Sequence, residues 1–569
     1  MKRNILKSSV QHAYFSIIFQ ILCRIITFGI NAFIVRSVGR EVLGIMNVRL
    51  LLLESTLLFL SREAISRAVL SVSTQHKGRC NWPQIINQVW LTVPICFILS
   101  IPCLYIWLAI LSPVEDSLWE QYKFGCYSMA ISCIVELFAE APVFVAKVFC
   151  FVKLKIAMDT LHIFIRSIVF LTIVFHDKEI CIYAFAIAQF CSASFIVVGF
   201  YSSMHYYIKN EQANNLDNGD KKRRNLSDFE SFPFKNIIEM IPGYLPNDEK
   251  KFNTELQVLT LSFVKQGVFK QILTEGEKYV MSISPVLSFS EQATYDVVNN
   301  LGSLAARFIF RPIEDSSYFY FTQTISRDLS LIRQDKEKVN ETGFVLKTLF
   351  MIITSVGIII FVFGQYYSGI ALYLYGGADF VSDGLSEKLL RWHCLAILFL
   401  AVNGISEAFM FATNSSIEID KYNVYMAGFS IVFLLSSYLL TNMLGPVGFI
   451  VANCANMFCR ICYSVRYINK KFEPVSIRPF DGFYPGKMFS CSLIVAVVIC
   501  FMFQVSHTTN ILLNLFVGAC CFIICLFSWT LENKTLIKTL LNKYAEKREL
   551  QRRMSMTTET KDNHHTKVE

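Results

Sequence analysis

Lys265, Lys270, Glu275, Glu277 and Lys278 stand inside a segment, Phe263 to Met281, that is otherwise largely apolar. At 3.6 residues per turn, Gln266, Lys270, Thr274 and Glu277 share one helical face. The pattern recurs upstream, where Gln20, Arg24, Thr27 and Asn31 follow i, i+4, i+7, i+11. It returns downstream in Asp296, Asn300, Ser303, Arg307, Arg311 and Glu314. A charge at mid-bilayer costs about 3 to 17 kcal/mol, so such stripes face a polar interior rather than lipid. Arg suits phosphate oxygens through paired donors and Lys does so as a point charge. Arg24, Asn31, Lys270, Glu277, Asn300 and Arg307 are therefore the candidate binding residues of a partly hydrated cavity, cationic where Arg24, Lys270 and Arg307 converge. Two blander readings stand beside this one: interhelical ion pairs that only fix packing, and, for Phe263 to Met281, a helix lying among headgroups.

A second set sits near helix ends. Arg62-Glu63 and Arg311/Glu314 form either a latch between conformations or simple snorkelling pairs. Glu136 and Glu140, one turn apart, are expected to pair with Lys147 or a neighbouring helix rather than carry protons. Pro312, inside a helical pattern, removes a backbone hydrogen bond and is expected to kink its helix. Other chemistries lack their residues. Pro485-Gly486-Lys487-Met488 has neither the upstream Gly nor the hydroxyl residue of a nucleotide-binding loop. His12, His162, His176, His205 and His393 are isolated, without metal-ligand spacing, and Asp379 and Asp383 read as turn material. The expectation is a protein that is not an enzyme, with no metal and no cofactor.

The elements that must position these groups are membrane helices. Of 569 residues, 54% are hydrophobic and only 17% charged, against about 25% charged in soluble domains. Apolar runs near the roughly 20 residues that span a bilayer recur along most of the chain, without the dyad alternation of a barrel. The expected fold is an all-α polytopic membrane protein, with about 14 transmembrane helices in two pseudo-symmetric lobes around a central cavity. Residues 1–208 form an N-terminal lobe of six spans and 209–255 a polar cytosolic linker. Residues 256–468 form a C-terminal lobe of six spans, 469–530 two additional spans, and 531–569 a charged cytosolic tail with the composition of disorder. Gln-Ile-Leu opens the first span at Gln20 and recurs at Gln271, a faint sign of parallel repeats with a site at their interface. The eighteen cysteines scatter through apolar segments and read as small hydrophobes.

Charge sets the orientation. Lys2, Arg3 and Lys7, then Arg62, Arg67, Lys77 and Arg79, then Lys221, Lys222, Arg223 and Arg224 all fall on one side of a fourteen-span chain, whereas Ser112 to Glu120 holds only acids. That side should be cytosolic, with both termini. The net charge of +9 is explained by this bias rather than by nucleic acid. The N-terminus runs directly into a long span, so no removable signal peptide is expected.

Three long, charged strings carry a resemblance: VGREVLGIMNVRLLLLESTLLFLSRE (Val38 to Glu63), KQGVFKQILTEGEKYVM (Lys265 to Met281) and YDVVNNLGSLAARFIFRPIEDS (Tyr295 to Ser316). In these the chain resembles the eukaryotic Rft family, which is tied to translocation of the Man5GlcNAc2-pyrophosphate-dolichol precursor at the endoplasmic reticulum. That family is similar to the multidrug/oligosaccharidyl-lipid/polysaccharide exporter superfamily. The resemblance implies two helical lobes, endoplasmic reticulum residence and a role in N-glycosylation. It implies dolichol-linked oligosaccharide, membrane lipids and other glycosylation proteins as partners. It also implies headgroup-binding cations in the first, second and eighth spans, where Arg24, Arg62 and Arg307 or Arg311 lie. The alternatives are a non-transporting membrane factor of the same pathway and a secondary exporter of small organic cations. The topology makes one prediction. The sequons at Asn225, Asn340, Asn414 and Asn533 all lie on the expected cytosolic side, so endoglycosidase treatment of the cellular protein should leave its gel mobility unchanged.

Overall fold

A computed structural model of the protein describes residues 26–75, 81–111, 113–149, 151–217, 232–243, 254–283, 287–327, 329–505, 511–535 and 537–538. Among these residues the regular elements are helices, with no strand. Ten helices are long and apolar enough to cross a membrane, or up to eleven if one bent pair counts as a span. The protein is a multi-pass α-helical membrane protein.

The expected count of 14 spans is not confirmed, for two physical reasons. The first expected span lies partly outside the described residues, leaving a short apolar helix, α1 (Ile26–Ser37). The expected seventh and eighth spans do form helices, but their charges keep them out of the apolar class. These are α8 (Thr254–Ile283) and the sequence α9 (Phe289–Ala305), a π-helical turn (Ala306–Phe310) and α10 (Arg311–Thr324). Between α1 and α8 lie α2, which opens as Arg40–Gly44, widens into a π-helical stretch at Ile45–Leu50 and continues through Leu51–Gln75, and α3 (Trp82–Ile110). The bent pair follows, α4 (Asp116–Leu137) and α5 (Glu140–Val148), turned by 46°. Then come α6 (Val152–His176) and α7 (Cys181–Asp217). After α10 the chain adds α11 (Lys336–Gly376), α12 (Leu385–Thr413), α13 (Ser416–Leu444), α14 (Val447–Phe472), α15 (Lys487–Val505) and α16 (Ile511–Glu532).

Two compact units emerge. One holds the described residues up to Leu301 with Leu372–Leu389 and Val424–Asn456; the other holds Gly302–Ala371, Leu390–Asn423 and the described residues from Met457. In the first unit, Ile65, Ile86, Phe144, Phe200 and Phe234 share one apolar core. In the second, Phe321, Phe350, Phe409 and Phe472 do so, and α15 and α16 pack their Phe489, Cys500 and Cys525 against Ile358, Val362 and Phe363 of α11.

Three local features shape the helices that carry polar groups. Pro312 sits in the first turn of α10, directly after the π-helical turn. A wider turn at that place gives the ring room that the carbonyls of a regular helix would deny it. At the start of α9, Ser288 and Glu291 form a reciprocal cap: the Ser288 amide donates to Glu291 Oε2 at 2.9 Å and the Glu291 amide to Ser288 Oγ at 3.2 Å. The linker is not uniformly loose. Phe232 and Phe234 pack edge-on or tilted against Phe149, Phe151, Tyr207 and Trp82, and Trp90 Nε1 donates to the Met240 carbonyl at 2.8 Å. Aromatic burial there overrides a polar composition.

Gly44 fixes how closely α2 approaches the start of α9, because a Cβ at that position would overlap the Phe289 backbone carbonyl. Gly39, five residues earlier, has open space around it. Gly44→Ala should therefore lower stability by about 1–3 kcal/mol through overpacking, while Gly39→Ala should leave it within about 0.5 kcal/mol. Thermal unfolding of the purified variants in detergent measures both.

Candidate functional site

In the first unit a polar cavity of about 290 Å³ opens among α1, α2, α6, α8 and α9. Asn31 comes from α1, Asn47 from the π-helical stretch of α2, and Arg166 and Ser167 from α6. Lys278 comes from α8, Asp296 and Asn300 from α9, and Tyr375 from the end of α11. Phe170, Phe185, Met46 and Leu51 supply apolar wall.

The polar groups are fixed by one another. Asp296 Oδ2 accepts from Asn47 Nδ2 at 3.2 Å and from Asn300 Nδ2 at 3.1 Å, which ties α2 to α9. Arg166 Nη1 donates to Gln189 Oε1 at 3.1 Å, and Gln189 Nε2 donates to Glu54 Oε1 at 2.8 Å. The Glu54 carboxylate lies 3.7 Å from Arg166 Nη1, so α2, α6 and α7 share one charged network. Lys278 Nζ is 3.6 Å from Glu275 Oε2, while Glu275 Oε1 accepts from Ser55 Oγ at 3.1 Å. Thr56 Oγ1 and Tyr279 Oη are 2.7 Å apart and join the same pair of helices. The rim is stapled by Arg36, whose guanidinium donates to the carbonyls of Leu374 and, at 3.1 Å, Tyr375 at the C-terminal end of α11. Those carbonyls have no partner within their own helix, and a cation there also answers the helix dipole. Arg40 pairs with Asp383 and lies over the Phe380 ring.

The expected residues divide as follows. Asn31 and Asn300 meet at the cavity. Glu277 is elsewhere on α8, its carboxylate accepting from the Tyr295 hydroxyl of α9. Arg24 lies outside the described residues, as does the side chain of Lys270 on α8. Arg307, in the second unit, is exposed and donates to Ser303 Oγ at 2.6 Å. Arg62 Nη1 lies 3.5 Å from Glu136 and 3.7 Å from Glu140, and Lys147 lies 3.6 Å from Glu140, so both carboxylates have the expected cationic partners. Glu63 pairs one turn along its own helix with Arg67 at 2.7 Å. Arg311 is exposed, and Glu314 lies against Gly404, where a side chain would meet its carboxylate at 2.8 Å. Next to that glycine, Glu407 is held by Arg460 through two bonds of 2.7 and 2.6 Å and by the Tyr422 hydroxyl. Sequence reasoning passed over Arg166 and Tyr375. A lone Arg within an apolar span was the available signal for Arg166, since ionisable residues at membrane depth default to functional positions. No residue pattern marks Tyr375.

A family profile described as Rft protein matches residues 8–543. The chain belongs to the Rft family. Among Rft relatives, "Man(5)GlcNAc(2)-PP-dolichol translocation protein RFT1" of Drosophila melanogaster is 59% identical over 548 residues, covering 95% of this chain and 98% of that protein. The protein of the same name from Xenopus tropicalis is 36% identical, covering 94% of this chain and 96% of its own. Among solved structures, lipid II flippase MurJ in an inward closed conformation aligns with a TM-score of 0.60 at 13% identity, covering 92% of this chain and all of that one. The Rft chain therefore has the MurJ fold.

The Glu54–Arg166 pair makes a direct test possible, because removing one charge of a part-buried pair leaves the other without its counter-charge. Arg166→Met should destabilise the protein by about 2–3 kcal/mol, and adding Glu54→Gln should restore most of the loss. Melting temperatures of the two single variants and the double variant check it.

Proposed function

We propose that this chain moves Man5GlcNAc2-pyrophosphate-dolichol from the cytosolic to the lumenal leaflet of the endoplasmic reticulum for protein N-glycosylation. The observation that carries the reading is likeness along nearly the full length to relatives named for that translocation. A MurJ fold and a polar cavity at membrane depth support it. The chain acts as a carrier rather than an enzyme: it binds, encloses and releases, and breaks no covalent bond.

In this reading the dolichol tail stays in lipid while the headgroup enters the protein. Arg24, Lys270 and Arg307 are assigned to the pyrophosphate on chemical grounds, since their positive charge suits its oxygens. Arg62, Glu63, Arg311 and Glu314 are assigned to the transition between conformations. Residues 1–208 and 256–468 act as the two moving lobes, with 469–530 appended, and the linker, the tail and both termini face the cytosol.

Reconstitution tests the function. Vesicles containing the purified full-length protein and Man5GlcNAc2-pyrophosphate-dolichol should exchange the glycolipid between leaflets faster than protein-free vesicles. Equal rates would overturn the proposal. Arg24→Glu with Lys270→Glu, in a protein that still melts cooperatively, should abolish the acceleration and leave glycoproteins under-glycosylated in cells.

A further inference from the structure

We propose that the cavity of the first unit is a sugar subsite, reading glycan hydroxyls, and that the pyrophosphate is held outside it. The inference rests on the carrier reading for the source of the glycan, but its argument is the charge and hydrogen-bonding balance of the wall.

Both cations that line the cavity already have counter-ions. Arg166 has Glu54 at 3.7 Å and Lys278 has Glu275 at 3.6 Å. Asp296 adds a third carboxylate, facing the same space. A pyrophosphate entering here would meet the Asp296 carboxylate and two cations whose charge Glu54 and Glu275 already offset. A neutral polyol meets no such opposition. Each hydroxyl both donates and accepts, and the wall offers both functions side by side. Asn31, Asn47 and Asn300 bring carboxamides, Ser167 a hydroxyl, and Asp296 a carboxylate with lone pairs beyond those given to Asn47 and Asn300. Phe170 and Tyr375 complete the wall with largely buried rings. The volume, about 290 Å³, lies at the small end of ligand cavities, which run from about 300 to 1,000 Å³. It therefore takes part of a glycan at a time. The Asn47–Asp296 bond holds two of the hydroxyl-reading groups in place before a ligand arrives.

The test uses full-length protein in nanodiscs and three probes: Man5GlcNAc2-pyrophosphate-dolichol, sugar-free dolichyl pyrophosphate, and free Man5GlcNAc2. Asn31→Leu combined with Asn300→Leu removes two exposed carboxamides; Asn31→Leu alone carries the test if the pair fails to fold. The double variant should bind the glycolipid and the free glycan about tenfold or more weakly, with affinity for dolichyl pyrophosphate unchanged. Equal loss for both lipids, loss confined to dolichyl pyrophosphate, or unchanged affinity for the glycolipid would each overturn the subsite. The two readings separate cleanly. If wild-type protein binds free glycan through Asn31 and Asn300 yet fails to speed leaflet exchange, the subsite stands and the carrier reading falls. If exchange is fast and the variant binds glycolipid like wild type, the subsite alone falls.

Discussion

The first unit depends on one constraint: an ionised group at membrane depth has to find its counter-charge inside the protein. Glu54, Arg166 and Gln189 satisfy it across three helices, Glu275 and Lys278 along one helix with Ser55 bonding in from another, and Arg62, within α2, with Glu136 and Glu140 at the bend between α4 and α5. Each pair offsets part of the desolvation of its members. Helix packing follows from these pairs as much as from apolar contact, because α2 cannot shift against α6 and α7 without stranding Glu54. Lipid supplies no hydrophobic force between helices, so polar contacts of this kind carry part of the association.

The backbone is shaped to let those contacts form. The π-helical stretch at Ile45–Leu50 turns Asn47 towards Asp296, and Gly44 beside it admits the backbone of α9 at a distance that a side chain would forbid. π-helical turns inside longer helices are rare and concentrate at functional sites. Among the described residues one borders the cavity, one precedes Pro312 and a third, Ile106–Ile110, closes α3.

A glycolipid headgroup has two chemistries, an anionic pyrophosphate and a neutral, hydroxyl-rich glycan. A single strongly cationic cavity would hold the first tightly and the second poorly, and release would be slow. A cavity whose cations are internally neutralised holds sugars by many weak bonds that break one at a time. That is the behaviour a carrier needs, since binding energy that is too deep becomes a barrier to letting go.

How much of this was legible in the chain differs from residue to residue. Hydropathy alone gave the class and most of the spans, because the bilayer imposes a local requirement, about 20 apolar residues, that any window of sequence reveals. Asn31 and Asn300 were found the same way, as polar positions on apolar helices. The charged segments α8 and α9–α10 were read as spans, and both form helices, although their charge keeps them out of the apolar class. Phe232 and Phe234 lay hidden in a segment whose average is polar. The partners of each charge were not legible at all. That Asn47 bonds Asp296, that Glu54 neutralises Arg166, and that Tyr375 closes the same cavity depend on which helix faces lie against one another. Periodicity fixes a face within its own helix but carries no information about the neighbour across from it; only the packed tertiary structure decides that, and with it whether a cation is available to a phosphate or already taken.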